Sequence, residues 1–477
     1  MSKEAIKIPK IVCGKVIYDG ACETIEYDNG VKVEIPVFTE EDFETITKNR
    51  QSLHDIPLSE VTLYLASAAR RMLDKNYEIR KKSVEYGSLV TGFSKEMIGR
   101  DFFIMGDHLQ YRSNMYDLLD SELGSHHIVD EWVRNQVAKV RAFPIGRVMH
   151  ILVGNIPLAS CYSIVRSVLT KNHTVVKLPR RDIITSLFFC QALIAENGED
   201  HPLSRAISAV YIPKESDLLQ NLISSSDLIC AWGRKESLDK IKSIVPSGIP
   251  LLEFGPRRSF SIVDLDQCDP QDAARRLAHE FTLYDQEACF NPQRLFVKGD
   301  VDKLIPHLYR YMDQQQQKLP KGEIDYDTHA ALSSICMEAN YLGYDVHQNN
   351  EKVWTIIRCP ADHVMDHPLS RTMYLHSVET WKEVHKHIDN ETQTVSVFPI
   401  SLRDQVADEF CSRGAVRICE TGMTSHPRQG WTHDGKHPLK DFVSLANMDE
   451  GLDYIHKYGD YKTEDMENFL FDMLSDC

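Results

Sequence analysis

Pro144-Ile-Gly-Arg-Val-Met-His-Ile-Leu-Val-Gly-Asn-Ile-Pro157 decides how the rest of the chain is read. Residues 148–153, apolar except for His150, form a run of strand length, and 159–169 follow with helical spacing. The pattern then repeats. Strands are expected at 174–178, 207–212 and 228–231, each followed by a helix, at 183–195, 217–223 and 234–244. Repeated βα units of this length build a parallel sheet with helices on its faces. Such sheets bind ligands beyond the carboxyl ends of their strands, and Asn155, Lys177 and Gly233 all fall there.

A second stretch, Tyr284-Asp-Gln-Glu-Ala-Cys-Phe-Asn-Pro-Gln-Arg294, sets Cys289 between an amphipathic segment and the strand-like run 294–298. That segment opens on Asp269-Pro270, an N-cap residue followed by proline, and Ala273, Leu277 and Phe281 recur at helical spacing. A cysteine at a helix-to-strand junction is held rigidly while its sulfur faces a cleft, which suits a nucleophilic thiolate. Taken alone, it is more simply a small buried hydrophobe. Upstream, Leu251-Leu-Glu-Phe-Gly255 offers a carboxylate, Glu253. A structural role is the alternative there, although glutamate is seldom buried unpaired. Asn155, read alone, is a turn residue before Pro157.

The order Asn-x-Pro, strand-end Lys177, Leu-Glu-x-Gly, then Cys289 resembles the aldehyde dehydrogenase superfamily over roughly residues 140–300. Along its full length the chain resembles the fatty acid (acyl-CoA) reductase subunits of bacterial bioluminescence systems. The resemblance implies an α/β fold of aldehyde dehydrogenase type. Its parts are a Rossmann-type parallel-sheet cofactor domain, an α/β catalytic domain and a small oligomerisation element. It also implies an NADPH-dependent reduction of a long-chain acyl group to an aldehyde, through an acyl-Cys289 thioester. Asn155 and the backbone N–H of Cys289 would meet the charge that builds on the carbonyl oxygen. Glu253 would act as general base, and because its counterpart in oxidising relatives activates water, some thioesterase leakage is expected. Lys177 would bond the adenosine ribose.

NAD-using relatives often carry a glutamate three residues after that lysine, whereas this chain has Arg180 followed by Arg181. A cation there pairs with a 2′-phosphate, so NADPH is the expected reductant. No Gly-x-Gly-x-x-Gly occurs; Gly233 instead stands at an expected strand-to-helix turn, where backbone N–H groups would face a pyrophosphate. Alone it is an ordinary loop glycine. Arg234 replaces the superfamily's serine at this turn, and Leu238 stands near its second glycine. The glutamate that holds the nicotinamide ribose is missing, with Asp366 in Met365-Asp-His-Pro368 the nearest substitute.

The acyl donor implied is acyl-CoA or an acyl-protein, with acyl-protein synthetase and acyl-transferase subunits as partners and a homo-oligomer as the assembly. Two other readings use the same residues differently: an acyltransferase or thioesterase that works through Cys289 without reduction, and a non-catalytic scaffold.

At 477 residues the chain exceeds one core. A hydrophobic share of 42% and a charged share of 26% suit a soluble globular protein, and a net charge of −16 argues against nucleic-acid binding. No apolar stretch reaches membrane-spanning length, and the amino terminus carries no signal-peptide core. Twelve cysteines without a framework spacing suit a reducing cytoplasm. Four parts are expected: a strand extension at 1–39, a cofactor-binding domain at 40–254 (helical at first, βα from about 144), a catalytic domain at 255–425, and an oligomerisation segment with an acidic helical tail at 426–477. Within these, 137–143 reads as a strand crossing between subunits by analogy with the superfamily. His433 and His437 flank an Asp434-Gly435 turn, and no metal site is expected. His-Pro-Leu-Ser-Arg occurs at 201–205 and 367–371, with flanks too different for a repeat.

Overall fold

The computed structural model describes residues 5–135, 138–363 and 365–449. The expected βα units are present. Strands Arg147–Ile151, His173–Lys177, Ile207–Val210, Leu228–Trp232 and Leu251–Phe254 are parallel neighbours in a seven-stranded sheet. The chain runs outward from Arg147–Ile151 to Ile207–Val210, then returns to place Leu228–Trp232 on the other side of Arg147–Ile151. Crossovers diverge at that point and leave a crevice beyond the carboxyl ends, the place where such sheets take ligands.

The amino-terminal strands do more than extend the fold. Lys10–Val12 and Lys15–Ile17 form a hairpin that joins this sheet antiparallel to Ile207–Val210, while Ile6–Lys7, Lys32–Pro36 and Cys22–Glu26 make a small sheet of their own. Five helices follow, from Glu40–Lys48 to Arg112–Leu123. The first begins in a capping box, in which the Thr39 hydroxyl accepts from the Asp42 N–H and the Asp42 carboxylate accepts from the Thr39 N–H. Leu58–Leu73 buries Val61, Leu65, Ala69 and Met72 at helical spacing. Each large apolar side chain buried in this way contributes roughly 1.5–3 kcal/mol.

A second seven-stranded sheet runs in the order Asp345–Gln348, Thr355–Arg358, Thr372–Ser377, Pro292–Lys298, Arg258–Asp264, Thr392–Phe398, Arg417–Glu420. Only Asp345–Gln348 is antiparallel to its neighbour. The two sheets meet end to end. Carboxyl-end loops of the first face the amino ends of Pro292–Lys298 and Thr392–Phe398 in the second.

The strand expected at 137–143 is present as Lys139–Pro144, paired antiparallel within the chain with Val443–Met448 and with Val133–Arg134; Val137 lies outside the described residues. Within the segment 426–477 expected to end in an acidic helical tail, Val443–Met448 is therefore a strand, because it gains a partner far back in the chain. The helical spacing at Leu452, Ile455, Phe469 and Leu474 lies outside the described residues.

Candidate active site

Helix Pro270–Thr282 starts as expected, with the Asp269 carboxylate accepting from the Gln271 N–H. The chain beyond it turns the opposite way: Tyr284, Asp285 and Gln286 have φ of 48°, 48° and 68°. Left-handed backbone costs a non-glycine residue about 1–2 kcal/mol. Distant partners offset the cost. Arg371 Nε donates to Asp285 Oδ1 at 2.5 Å, the Gly322 N–H to Oδ2 at 3.0 Å, and Tyr284 Oη to Asp101 Oδ1 at 2.6 Å. The Gln286 amide donates to the Thr372 carbonyl at 2.7 Å and accepts from its N–H at 2.6 Å. Cys289 leaves this brace with its carbonyl held by Ser259 Oγ at 2.7 Å.

The sulfur faces a cavity of about 380 Å³. Its walls come from both sheets: Asn155 after Arg147–Ile151, Gly233 after Leu228–Trp232 and Gly255 after Leu251–Phe254, with Glu287, Cys289 and Gln293 opposite. Gln393 Nε2 lies 3.1 Å from Sγ, and the backbone N–H groups of Cys289 and Phe290 also point toward it. Burial, with the Asp434 charge beside it, nevertheless pushes the thiol up to about 12. Asn155 shares the cavity and donates through Nδ2 to the Glu287 carbonyl at 3.1 Å. Gly154 before it has to be glycine: a Cβ there would lie 2.6 Å from the Asp182 nitrogen. Arg181 grips Glu287 with two contacts of 2.5 Å, tying the loop after His173–Lys177 to the Cys289 loop.

Glu253 is not brought to this cavity. Its carboxylate holds Lys242 of helix Lys235–Ile244 at 2.8 Å, while Phe254 and Gly255 face Cys289. The expected base is therefore directed at helix Lys235–Ile244 rather than at Cys289, because a strand sends neighbouring side chains to opposite faces. Asp366 is exposed, absent from the cavity lining, and its carbonyl accepts from Tyr374 Oη at 2.5 Å.

Lys177 ends its strand buried, with Nζ 5.9 Å from the Tyr211 ring centroid and no carboxylate paired to it among the described residues. Burial and the nearby Lys214 push its ammonium down to about 8. A buried cation in this state calls for an acceptor. Arg180 is exposed and donates to the Glu26 carbonyl at 2.9 Å. Gly233 and Arg234 line the Cys289 cavity where helix Lys235–Ile244 begins. No group of three or more His, Cys, Asp or Glu side chains suited to a metal occurs among the described residues.

Residues 53–445 match the acyl-CoA reductase (LuxC) family. The long-chain acyl-protein thioester reductase of Photobacterium phosphoreum is 32% identical over 460 residues, 94% of this chain and 93% of the relative. That of Vibrio harveyi is 33% identical over 415 residues, 86% of each chain. The chain belongs to the LuxC family. Its fold is that of the aldehyde dehydrogenases. The E. coli lactaldehyde dehydrogenase superposes with a TM-score of 0.70 at 14% identity, covering 93% of this chain and 99% of that one. An oxidoreductase from Marinobacter aquaeolei gives 0.74 at 13%, covering 93% and 98%.

In this LuxC-family chain a second, mostly apolar cavity of about 110 Å³ shares Ile156, Ala159 and Trp232 with the first. Ile104, Leu118, Phe290 and Trp431 are among the residues that line its remainder, with Glu122, Arg166 and His433 as its polar members nearest the core. Sequence reasoning missed Gln393, Asp434 and the Arg181–Glu287 clamp. Only the first two left a trace: a glutamine near the start of a fully buried strand, and a turn whose aspartate was read for its shape alone.

Proposed function

We propose that this protein reduces a long-chain acyl thioester to the aldehyde, using NADPH and supplying aldehyde for bacterial luminescence. One observation carries the reading within the family: Cys289, braced by a left-handed turn, faces a cavity at the crossover point of a parallel sheet, with Asn155 in the opposite wall. Both curated relatives are named for acyl-protein thioester reduction and the family for acyl-CoA. Either thioester suits a cysteine that accepts the acyl group, and acyl-protein synthetase and acyl-transferase subunits remain the proposed suppliers. The apolar cavity beside Cys289 is where the acyl chain would lie.

Sγ of Cys289 attacks the thioester carbon, and Asn155 Nδ2, with the Cys289 N–H, meets the oxygen as it gains charge. The donor's thiol leaves, and the acyl group remains on Cys289. A bound reduced nicotinamide would supply hydride, with Lys177 holding its ribose, Arg180 its 2′-phosphate, and the turn at Gly233 and Arg234 its pyrophosphate. Once reduced, the carbon is carried as a thiohemiacetal on Cys289, whose C–S bond breaks to free aldehyde and thiol. With Glu253 turned to Lys242, the water-activating role expected of it loses its support, which favours reduction over hydrolysis.

Cys289→Ala should abolish acylation and aldehyde release, and Asn155→Ala should slow both by about 10²–10³-fold. Aldehyde formation by Cys289→Ala would end the reading. Cofactor choice is tested by Arg180→Ala. Losing a charge-assisted bond of about 1.5–3 kcal/mol weakens NADPH roughly 10- to 150-fold. NADH affinity should hold, and equal weakening of both nucleotides in a binding titration would make Arg180 structural.

A further inference from the structure

With Glu253 engaged by Lys242, the Cys289 thiol lacks a proton acceptor from that strand. A different carboxylate stands at the sulfur. Asp434 is 8% exposed, lines the Cys289 cavity, and is bound by the same nitrogen that touches Sγ. Gln393 Nε2 lies 3.1 Å from Sγ and 2.7 Å from Asp434 Oδ1. A nitrogen shared between them keeps the carboxylate within the span of one bridging water from the sulfur, a distance over which side chains exchange protons.

The backbone aims Asp434 inward. Asp434 and Gly435 have φ of 51° and 79°, and the Lys436 N–H donates to the His433 carbonyl at 3.0 Å. That is a two-residue hairpin turn with both central residues left-handed, the geometry Asp-Gly adopts most readily. The carboxylate also fixes the amide, since only the N–H side of Gln393 can face it. Gln393 Oε1 is left buried without a partner among the described residues. Arg257 Nε lies 3.6 Å from Asp434 Oδ2, Lys436 shares the turn, and Arg166 acts from helix Pro157–Leu169. Burial raises the Asp434 carboxyl above its usual range, and Gln393, Arg257, Lys436 and Arg166 draw it back.

We propose that Asp434 is the proton acceptor for Cys289, with Gln393 as the link that holds the two in register. The inference rests on the acyl-Cys289 reading above. As the S–C bond forms and the donor's C–S bond breaks, the Sγ proton passes to Asp434. It then passes to the departing thiolate, so the carrier leaves as a free thiol and Asp434 returns to carboxylate. Carboxylate and thiolate are never charged together, which is how two close acidic groups share one charge.

The test is acylation of the full-length protein by a radiolabelled long-chain acyl-CoA across a range of pH, with peptide mapping of the label. Asp434→Asn suits it, because asparagine tolerates left-handed backbone and keeps an oxygen for Gln393. At neutral pH this variant should acylate Cys289 about 10²–10⁴-fold more slowly. The deficit should narrow as pH rises and hydroxide takes the thiol proton unaided, and Glu253→Gln should keep the wild-type profile. Wild-type rates in Asp434→Asn, or an equal deficit at every pH, would overturn the proposal. Label on a different wild-type cysteine would overturn the acyl-Cys289 reading as well.

Discussion

Residues 201–205 and 367–371 carry the same five side chains, His-Pro-Leu-Ser-Arg, on two different backbones. Both begin alike. His201 Nδ1 accepts from the Leu203 N–H at 3.1 Å, and His367 Nδ1 from the Leu369 N–H at 3.0 Å. They part at the leucine. Pro202–Arg205 is a right-handed helical turn with Arg205 exposed, whereas Leu369, Ser370 and Arg371 have φ of 57°, 53° and 59°. Arg371 is 1% exposed and donates to Asp285, to Gln316 and to the Leu319 carbonyl. The Ser370 N–H meets the Asp285 carbonyl at 2.8 Å. Two left-handed segments, 284–286 and 369–371, thus support each other just before Cys289, and Gln286 and Leu369 both line its cavity. Strain of this kind persists only where the surroundings over-determine it. The pentapeptide has no handedness of its own here; Asp285 and Gln286 impose it.

The comparison breaks most visibly at the arginines. Arg371→Ala leaves the buried Asp285 carboxylate without its cation and should cost about 3–5 kcal/mol in urea unfolding, with loss of Cys289 acylation. Arg205→Ala, at an exposed position, should change stability by about 0.5 kcal/mol or less. Equal losses would mean that the two copies are not held differently.

The serines sharpen it. Ser370→Gly removes left-handed strain from a residue whose hydroxyl has no partner among the described residues, and should be neutral to stabilising by about 1 kcal/mol. Ser204→Gly places glycine in a right-handed turn and removes the 3.0 Å contact with Tyr64 Oη, so it should destabilise by about 1–2 kcal/mol. The same sign at both positions, read by thermal unfolding, would contradict the strain argument.

What the sequence made legible followed from local periodicity. The βα units after Pro144, the helix opening at Asp269 and the helix-to-strand junction at Cys289 each carry their signal within a few residues. What stayed hidden depends on partners far along the chain. The Lys10–Val12 strand is placed by Ile207–Val210, Val443–Met448 by Lys139–Pro144, and the Asp285 turn by Arg371. Glu253 shows the limit within the site. Its position in the motif was readable, but which face its side chain takes depends on how Leu251–Phe254 is set in the sheet, which brings it to Lys242. Gln393 and Asp434 reach the sulfur from the far half of the chain, so no spacing near Cys289 announced them.

The most direct test of the central claim is a trap and chase. The protein is incubated with a radiolabelled long-chain acyl thioester, quenched for peptide mapping, and a parallel sample is chased with NADPH. The account predicts label on the Cys289 peptide and its quantitative release as aldehyde in the chase. Label on another of the twelve cysteines, or release as free fatty acid with no NADPH consumed, would contradict it.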